Sequence, residues 1–474
     1  MITFLLAVAA LIVGYIIYGS FVERVFGIDE SRATPACTMA DGVDYVPIPW
    51  KNMFLIQLLN IAGLGPIFGA IAGALWGPAA LMWIVFGCIF AGATHDFFSG
   101  MLSVRHNGAS VSEIVGFYLG GTAKQVMRVF SVVLLVLVGT VFMTGPAKLL
   151  AKLTPESLTM NVWLVIIIVY YFLATVLPID KLVGKLYPLF GAVLLIMAVG
   201  IGGGILFGNF NIPELTFANM HPRALPFWPL LFVTIACGAI SGFHATQSPL
   251  MARCITNEKY GRRVFYGAMI SEGIIALIWA TAAMTFFGNY GALAEAIKAG
   301  GQGGVVHTIS TTLLGPIGGV LAILGVIACP ITSGDTAFRS ARLTIADALG
   351  FKQGDIKNRL YLAVPLLGVG VALSQIDFNI IWRYFAWSNQ TLAMIMLWAA
   401  AVYLKNNVKL HWICSLPATF MTAVSVTYIL QAPEGFRLAT SISYPVGAVA
   451  ALSCLVLFLV HKPTSIIQSK GKTA

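Results

Sequence analysis

The run Asn60-Ile61-Ala62-Gly63-Leu64-Gly65-Pro66-Ile67-Phe68-Gly69 lies inside an apolar segment from about Met53 to Leu75. That segment is long enough to cross a bilayer at ~20 residues per crossing. Pro66 has no N–H, and its ring crowds the preceding turn. With Gly63 and Gly65 beside it, the segment is predicted to be two half-helices with an unwound middle. Irregular backbone at membrane depth is tolerated only where protein or a water-filled cavity satisfies it, and discontinuous helices of this kind build the binding sites of secondary transporters. A second run of the same character is Ala236-Cys237-Gly238-Ala239-Ile240-Ser241-Gly242-Phe243-His244-Ala245-Thr246-Gln247-Ser248-Pro249. The chain is organised around these two breaks.

The surroundings are those of a membrane. Of the 474 residues, 58% are hydrophobic and only 10% charged, against about 25% charged in a soluble domain. The net charge of +10 suggests nucleic acid in a soluble chain; here the positive-inside rule is the reading preferred, and no nucleic-acid partner is expected. The seven cysteines show no CxxC pair and no metal-ligand spacing. They are read as packing residues, with no metal and no cofactor expected. The first twenty residues lack the basic start of a signal peptide and are read as a retained span.

Thirteen apolar segments follow in order: 2–21, 53–75, 79–103, 126–150, 161–179, 183–208, 226–250, 264–287, 316–340, 359–375, 379–404, 410–430 and 441–460. With the N-terminus outside, the inner loops hold 22 of the 28 Lys and Arg. Lys148, Lys152, Arg223, Lys298, Arg383 and Arg437 fall outside. This bias orients the chain N-out and C-in, and losing one span would scramble it.

With the first span set aside, segments 53–208 and 226–404 form two units of five spans, each beginning with a broken helix. Each unit also carries a short extra segment between its second and third spans, Val111–Leu119 and Leu293–Leu313. An odd number of spans per unit gives opposite topologies, an inverted repeat. It rests on hydropathy and the breaks alone, because the halves share negligible identity. The expected architecture is an all-α, single-domain bundle over 1–474: an extra helix at 2–21, the 5+5 repeat, two accessory helices at 410–460 and a basic cytoplasmic tail at 461–474 near anionic headgroups.

Several stretches resemble a known family: Asp29-Glu30-Ser31-Arg32-Ala33-Thr34-Pro35-Ala36, Asp41-Gly42-Val43-Asp44-Tyr45-Val46-Pro47, Ile61-Ala62-Gly63-Leu64-Gly65-Pro66, Gly92-Ala93-Thr94-His95-Asp96-Phe97, Ser103-Val104-Arg105-His106-Asn107-Gly108, Ser241-Gly242-Phe243-His244-Ala245 and Thr332-Ser333-Gly334-Asp335-Thr336. In this order they resemble the carbon starvation protein A family, of its shorter type. The chain departs from the pattern at the position before His95 and is abbreviated after the eleventh span, which bears on substrate choice more than on fold. The resemblance implies a bacterial inner-membrane secondary transporter of the amino acid–polyamine–organocation superfamily, with a leucine-transporter-like repeat. It also implies uptake of small peptides or of pyruvate.

Gly63, Leu64 and Gly65 are candidates for substrate binding, because free N–H groups at a half-helix start hold a carboxylate. The bland alternative is that the glycines let helices approach. Ser241, Gly242, His244 and Gln247 form the partner break, where so many polar groups are hard to hide in lipid. His244 either titrates with a proton cycle or is a neutral histidine fixing the break.

Asp96 is either a proton carrier or a partner for a buried cation such as Arg339 or Arg342, and His95 is read as structural. Glu272 is a second titrating group or a bundle-facing acid. Thr332 and Ser333 either bond back to their own helix or, as the superfamily resemblance implies, contribute to a sodium site. Asp335 adds an ionisable group there, favouring a proton over sodium as the coupling ion. The aromatic and polar start of the eleventh span, Trp382 to Gln390, is read as an interfacial belt, with a gate over the site as the alternative. A channel, a membrane enzyme and a nutrient sensor are the rival classes. Polarity clustered at two breaks argues against a channel. Adjacent His95 and Asp96 face different ways on a helix and make a poor metal pair, which argues against an enzyme.

Overall fold

Glycine and proline decide where the helices stop. In the computed structural model of the protein, residues 1–42, 44–176, 179–208, 210–353 and 355–462 are described; their regular elements are all helices, with no strand among them. The helices are α1 (Ile2–Phe26), α2 (Trp50–Ile61), α3 (Gly65–Trp76), α4 (Ala79–Arg105), α5 (Val111–Leu119), α6 (Gly121–Leu153), α7 (Met160–Val176) and α8 (Ile179–Phe207). After these come α9 (Leu230–Thr234), α10 (Gly242–Ala252), α11 (Glu258–Phe286), α12 (Tyr290–Ile323), α13 (Cys329–Leu349), α14 (Ile356–Leu373), α15 (Phe378–Asn406), α16 (Trp412–Gln431) and α17 (Thr440–Val460).

Among the described residues ten helices are long and apolar enough to cross a membrane, or eleven if α2 and α3 count as one bent span. The expectation of thirteen differs from this for local reasons. The seventh segment, 226–250, is divided into α9 and α10, neither of them long enough alone. The fifth, α7, has only 17 residues. The run α12 is interrupted where Gly301 and Gly315 take positive φ (67° and 60°), a conformation glycine adopts without Cβ strain. The extra segment expected at Leu293–Leu313 is therefore the part of α12 ahead of Gly315, and α5 coincides with the segment expected at Val111–Leu119. The side chains of Lys181 and Lys185, and the tail beyond Lys462, lie outside the described residues.

Both breaks appear where they were expected. Helices α2 and α3 meet at 53° across residues 62–64, with the second half starting at Gly65. Every residue from Ile56 to Ile71 is buried, so the opened backbone lies within protein, as a lipid environment requires. Close packing holds it there. A Cβ on Gly63 would stand 2.7 Å from Cζ of Phe142 in α6, and one on Gly65 would overlap the Cys237 side chain of the other break. Gly63 thus lets the first break approach α6, and Gly65 lets it approach the second break at Cys237.

Helix α2 packs on α8, α10, α11 and α13, while α10 packs on α4 and α15. The loop after α1 is tied to the loop after α10. Thr34 donates its hydroxyl to the Ile255 carbonyl (2.5 Å), and Ile48 N–H to that of Cys254 (3.1 Å). Glu258, fully buried, accepts from the Asp29 N–H (2.8 Å) and pairs with Arg105 at the end of α4 (3.0 Å).

Candidate functional site

The second break is held open by another helix. Between α9 and α10 the chain leaves helical geometry, and Ser241 is extended (φ −143°, ψ 125°). Asn389 of α15 supplies the cap that α10 lacks locally: its Oδ1 accepts from the Phe243 N–H (2.6 Å) and the Ser241 hydroxyl (3.1 Å). Gln390 donates to the Phe232 carbonyl of α9 (3.0 Å). The belt reading of this stretch therefore fails for Asn389 and Gln390, which are buried and satisfy broken backbone. A Cβ on Gly242 would meet the Asn389 carbonyl at 2.5 Å, so this contact needs glycine.

His244, in the first turn of α10, stands between two acids from different helices. Its Nδ1 lies 2.8 Å from Oδ2 of Asp96 in α4, and its Nε2 lies 3.3 Å from Oε2 of Glu272 in α11. Asp96 also meets Nδ1 of its neighbour His95 at 2.8 Å. All four side chains have no exposure. The pair expected to diverge thus joins one line, His95–Asp96–His244–Glu272. A buried charge without a partner costs several kcal/mol, and two carboxylates flank the His244 ring, so a proton on that ring would offset their charge. Imidazole is suited to passing one, because each nitrogen is able to donate or accept.

Cys237, read from the sequence as a packing residue, is part of this place. Its sulfur lies 3.6 Å from the Ser241 hydroxyl and from Asn389 Nδ2. One donor atom each of Cys237, His244 and Glu272 fall within 4.8 Å of one another. Thiolate, imidazole and carboxylate are also a zinc-type donor set, so a metal has to be separated from a proton by experiment.

Asp335 lies elsewhere. It accepts from Tyr187 (2.9 Å) and pairs with Arg339 one turn on (3.9 Å). Arg339, considered as the cation for Asp96, belongs instead to Asp335, whose charge it meets. Thr332 bonds back to the Cys329 carbonyl (2.8 Å). Ser333 does so at 3.0 Å and also donates to the Leu59 carbonyl of α2 at 2.9 Å, just before the first break. Gln247 donates to Thr246 (3.1 Å) and Ser340 (3.4 Å), leaving its carbonyl oxygen unpaired.

Two further residues went unnoticed as site candidates. Gln57 and Asn60 of α2 are fully buried, and none of their amide atoms has a partner. Spaced three apart, they share a helix face. A partnerless buried amide is expensive, which marks this face as one that meets water or a ligand. Two amides three apart in an apolar span were the available signal.

The family model described as carbon starvation protein CstA matches residues 1–162 and 151–315. The chain belongs to this family. It is 46% identical to an uncharacterized membrane protein of Haemophilus influenzae, over 63% of this chain and 95% of that one. Among CstA family relatives, the peptide transporter CstA of Campylobacter jejuni is 27% identical (94% of this chain, 82% of the relative). The pyruvate/proton symporter BtsT of Escherichia coli is 26% identical (56% and 48%). Of solved structures, MhsT in complex with L-phenylalanine aligns at TM-score 0.55 and 15% identity (85% and 97%). Mhp1, a nucleobase-cation-symport-1 family transporter, aligns with the same values (87% and 92%). This protein is therefore a multi-pass membrane protein of the CstA family with the fold those transporters share.

Proposed function

We propose that this CstA family protein imports a small carboxylate-bearing nutrient, a peptide or pyruvate, by proton symport with alternating access across the bacterial inner membrane. The observation that carries the reading is the buried line from His95 through Asp96 and His244 to Glu272. It joins α4 and α11 to the broken helix of the second unit. A proton held on this line alters charge beside the breaks, and moving the break elements then couples proton release to substrate release. Gly63, Leu64 and Gly65, with Ser241, Gly242 and Gln247, line the substrate side, and Gln57 and Asn60 offer it unpaired amides. The architecture inferred is thirteen spans, N-terminus out and C-terminus in, with two inverted five-span units starting at α2 and α9.

Sodium is the second reading, favoured by Ser333 bridging to the Leu59 carbonyl. The proton reading is preferred because Thr332 and Ser333 both bond to their own helix. The test is uptake of labelled pyruvate and, separately, of a labelled dipeptide into proteoliposomes, under an inward proton gradient, an inward sodium gradient or neither. Accumulation above equilibrium with the proton gradient alone, unchanged by a chelator, is the expected result. Dependence on sodium moves the coupling site to Thr332 and Ser333. Loss of transport on chelation moves it to a metal at Cys237, His244 and Glu272.

A further inference from the structure

The charge count leaves six Lys and Arg on the outer side, and three of them, Lys148, Lys152 and Lys298, line a single cavity of about 500 Å³ with no acid in its lining. Such clustering runs against the scarcity of cations on that face. The cavity sits directly over the first break. Gly145 is in its lining, and a Cβ there would lie 2.7 Å from Cδ1 of Leu64. Its inner wall is aromatic: Phe68, just beyond the break, lies 6.0 Å from Trp382, which stacks on Phe378 at 5.8 Å. Lys148 stands over the Phe378 ring at 5.1 Å, and Lys152 donates to the Gly300 carbonyl at 3.3 Å. Lys298 is at the rim, 4.0 Å from the exposed Glu295.

We propose that this cavity is an outer vestibule that binds a net-anionic monocarboxylate before it reaches the break. The proposal deepens the transport reading and rests on it, because it assigns that site an anion of pyruvate's class over a zwitterionic peptide. A cleft lined by one sign of charge with low-dielectric walls concentrates the opposite charge and raises its rate of entry. A zwitterion, with no net charge, gains little from such a field. The aromatic wall then separates the vestibule from the break, so entry past Phe68 is the step the captured anion awaits.

Two measurements test it. In the purified full-length protein, acylation of individual lysines by an amine-reactive reagent is followed by peptide mass spectrometry. Pyruvate is compared with chloride at equal ionic strength. Pyruvate is expected to slow labelling of Lys148 and Lys152 at least threefold and to leave Lys352 unchanged; equal labelling in pyruvate and chloride overturns the vestibule whether or not the protein transports. In proteoliposomes, the combined Lys148→Gln, Lys152→Gln and Lys298→Gln variant is expected to raise KM for pyruvate about fivefold. Its maximal rate and its handling of a zwitterionic dipeptide stay unchanged, and Lys→Arg at the same positions restores KM. The field of these lysines is screened within about 3 Å at 1 M salt, so the difference should vanish there. A KM defect that persists undiminished in high salt overturns the electrostatic role. Protection of the lysines without any uptake would instead count against the transport reading alone.

Discussion

Nδ1 of His244 and Oδ2 of Asp96 are 2.8 Å apart although 148 positions separate them in the chain. The contact joins α10, at the second break, to α4. Any rearrangement of α10 against α4 must break or remake it, which is the property a coupling element needs.

Asp96→Asn keeps the side-chain shape but removes the acid. Concentrative uptake under a proton gradient should fall at least tenfold, while exchange of labelled for unlabelled substrate at equal pH persists. Proteoliposome accumulation and counterflow measured on the same preparation check this. Intact proton-driven accumulation would remove Asp96 from the coupling line.

Asn389→Ala leaves the Phe243 N–H and the Ser241 hydroxyl without their shared acceptor. A buried donor left unsatisfied costs about 1–3 kcal/mol. Thermal unfolding in detergent should show a loss of about 2 kcal/mol or more, and uptake should drop with it. Asn379→Ala, at an exposed position of the same helix, should cost almost nothing.

Gly63→Ala sets a methyl against Phe142, whose Cζ would lie only 2.7 Å from it. Overpacking of this kind costs about 1–3 kcal/mol. A smaller partner, Phe142→Leu, should recover stability in the double variant, read by the same unfolding assay. Non-recovery would mean that Gly63 serves its backbone conformation and not the approach of α6.

His221, in the loop ahead of α9, packs 4.5 Å from the Trp76 ring and accepts the Arg223 N–H at Nδ1 (3.1 Å). Burial, and then the charge of Arg223, hold its pKa below the usual histidine value. The unfolded loop takes up the proton more readily. The contribution to stability is therefore full above about pH 6.5 and is lost as pH falls below that through the folded value. Hydrogen exchange of the amides of Asn219, Met220, His221, Arg223, Ala224 and Leu225 should accelerate between pH 7.5 and 5, after correction for intrinsic rates. His221→Gln should abolish that change.

The breaks, the helical class and the short helix α5 were legible because their causes are local. Pro66 lacks a donor, Gly63 and Gly65 lack a Cβ, and apolar runs of spanning length have few other fates in a chain with so little charge. Gln57 and Asn60 were equally visible as polar residues in an apolar span, but their lack of partners was not.

Partnership was decided only in three dimensions. The sequence offered Asp96, His244 and Glu272 as separate candidates and suggested Arg339 or Arg342 as the partner of Asp96. Helix packing then put His244 between Asp96 and Glu272, with Cys237 beside them, whereas Arg339 meets Asp335 through simple i,i+4 spacing on α13. Asn389, read as part of an interfacial belt, became the cap of a helix whose own N-terminal residue provides none. Local chemistry fixes where a backbone opens, because it acts over one helical turn; which distant side chain closes the opening depends on how whole helices pack, and that information is spread over the entire chain.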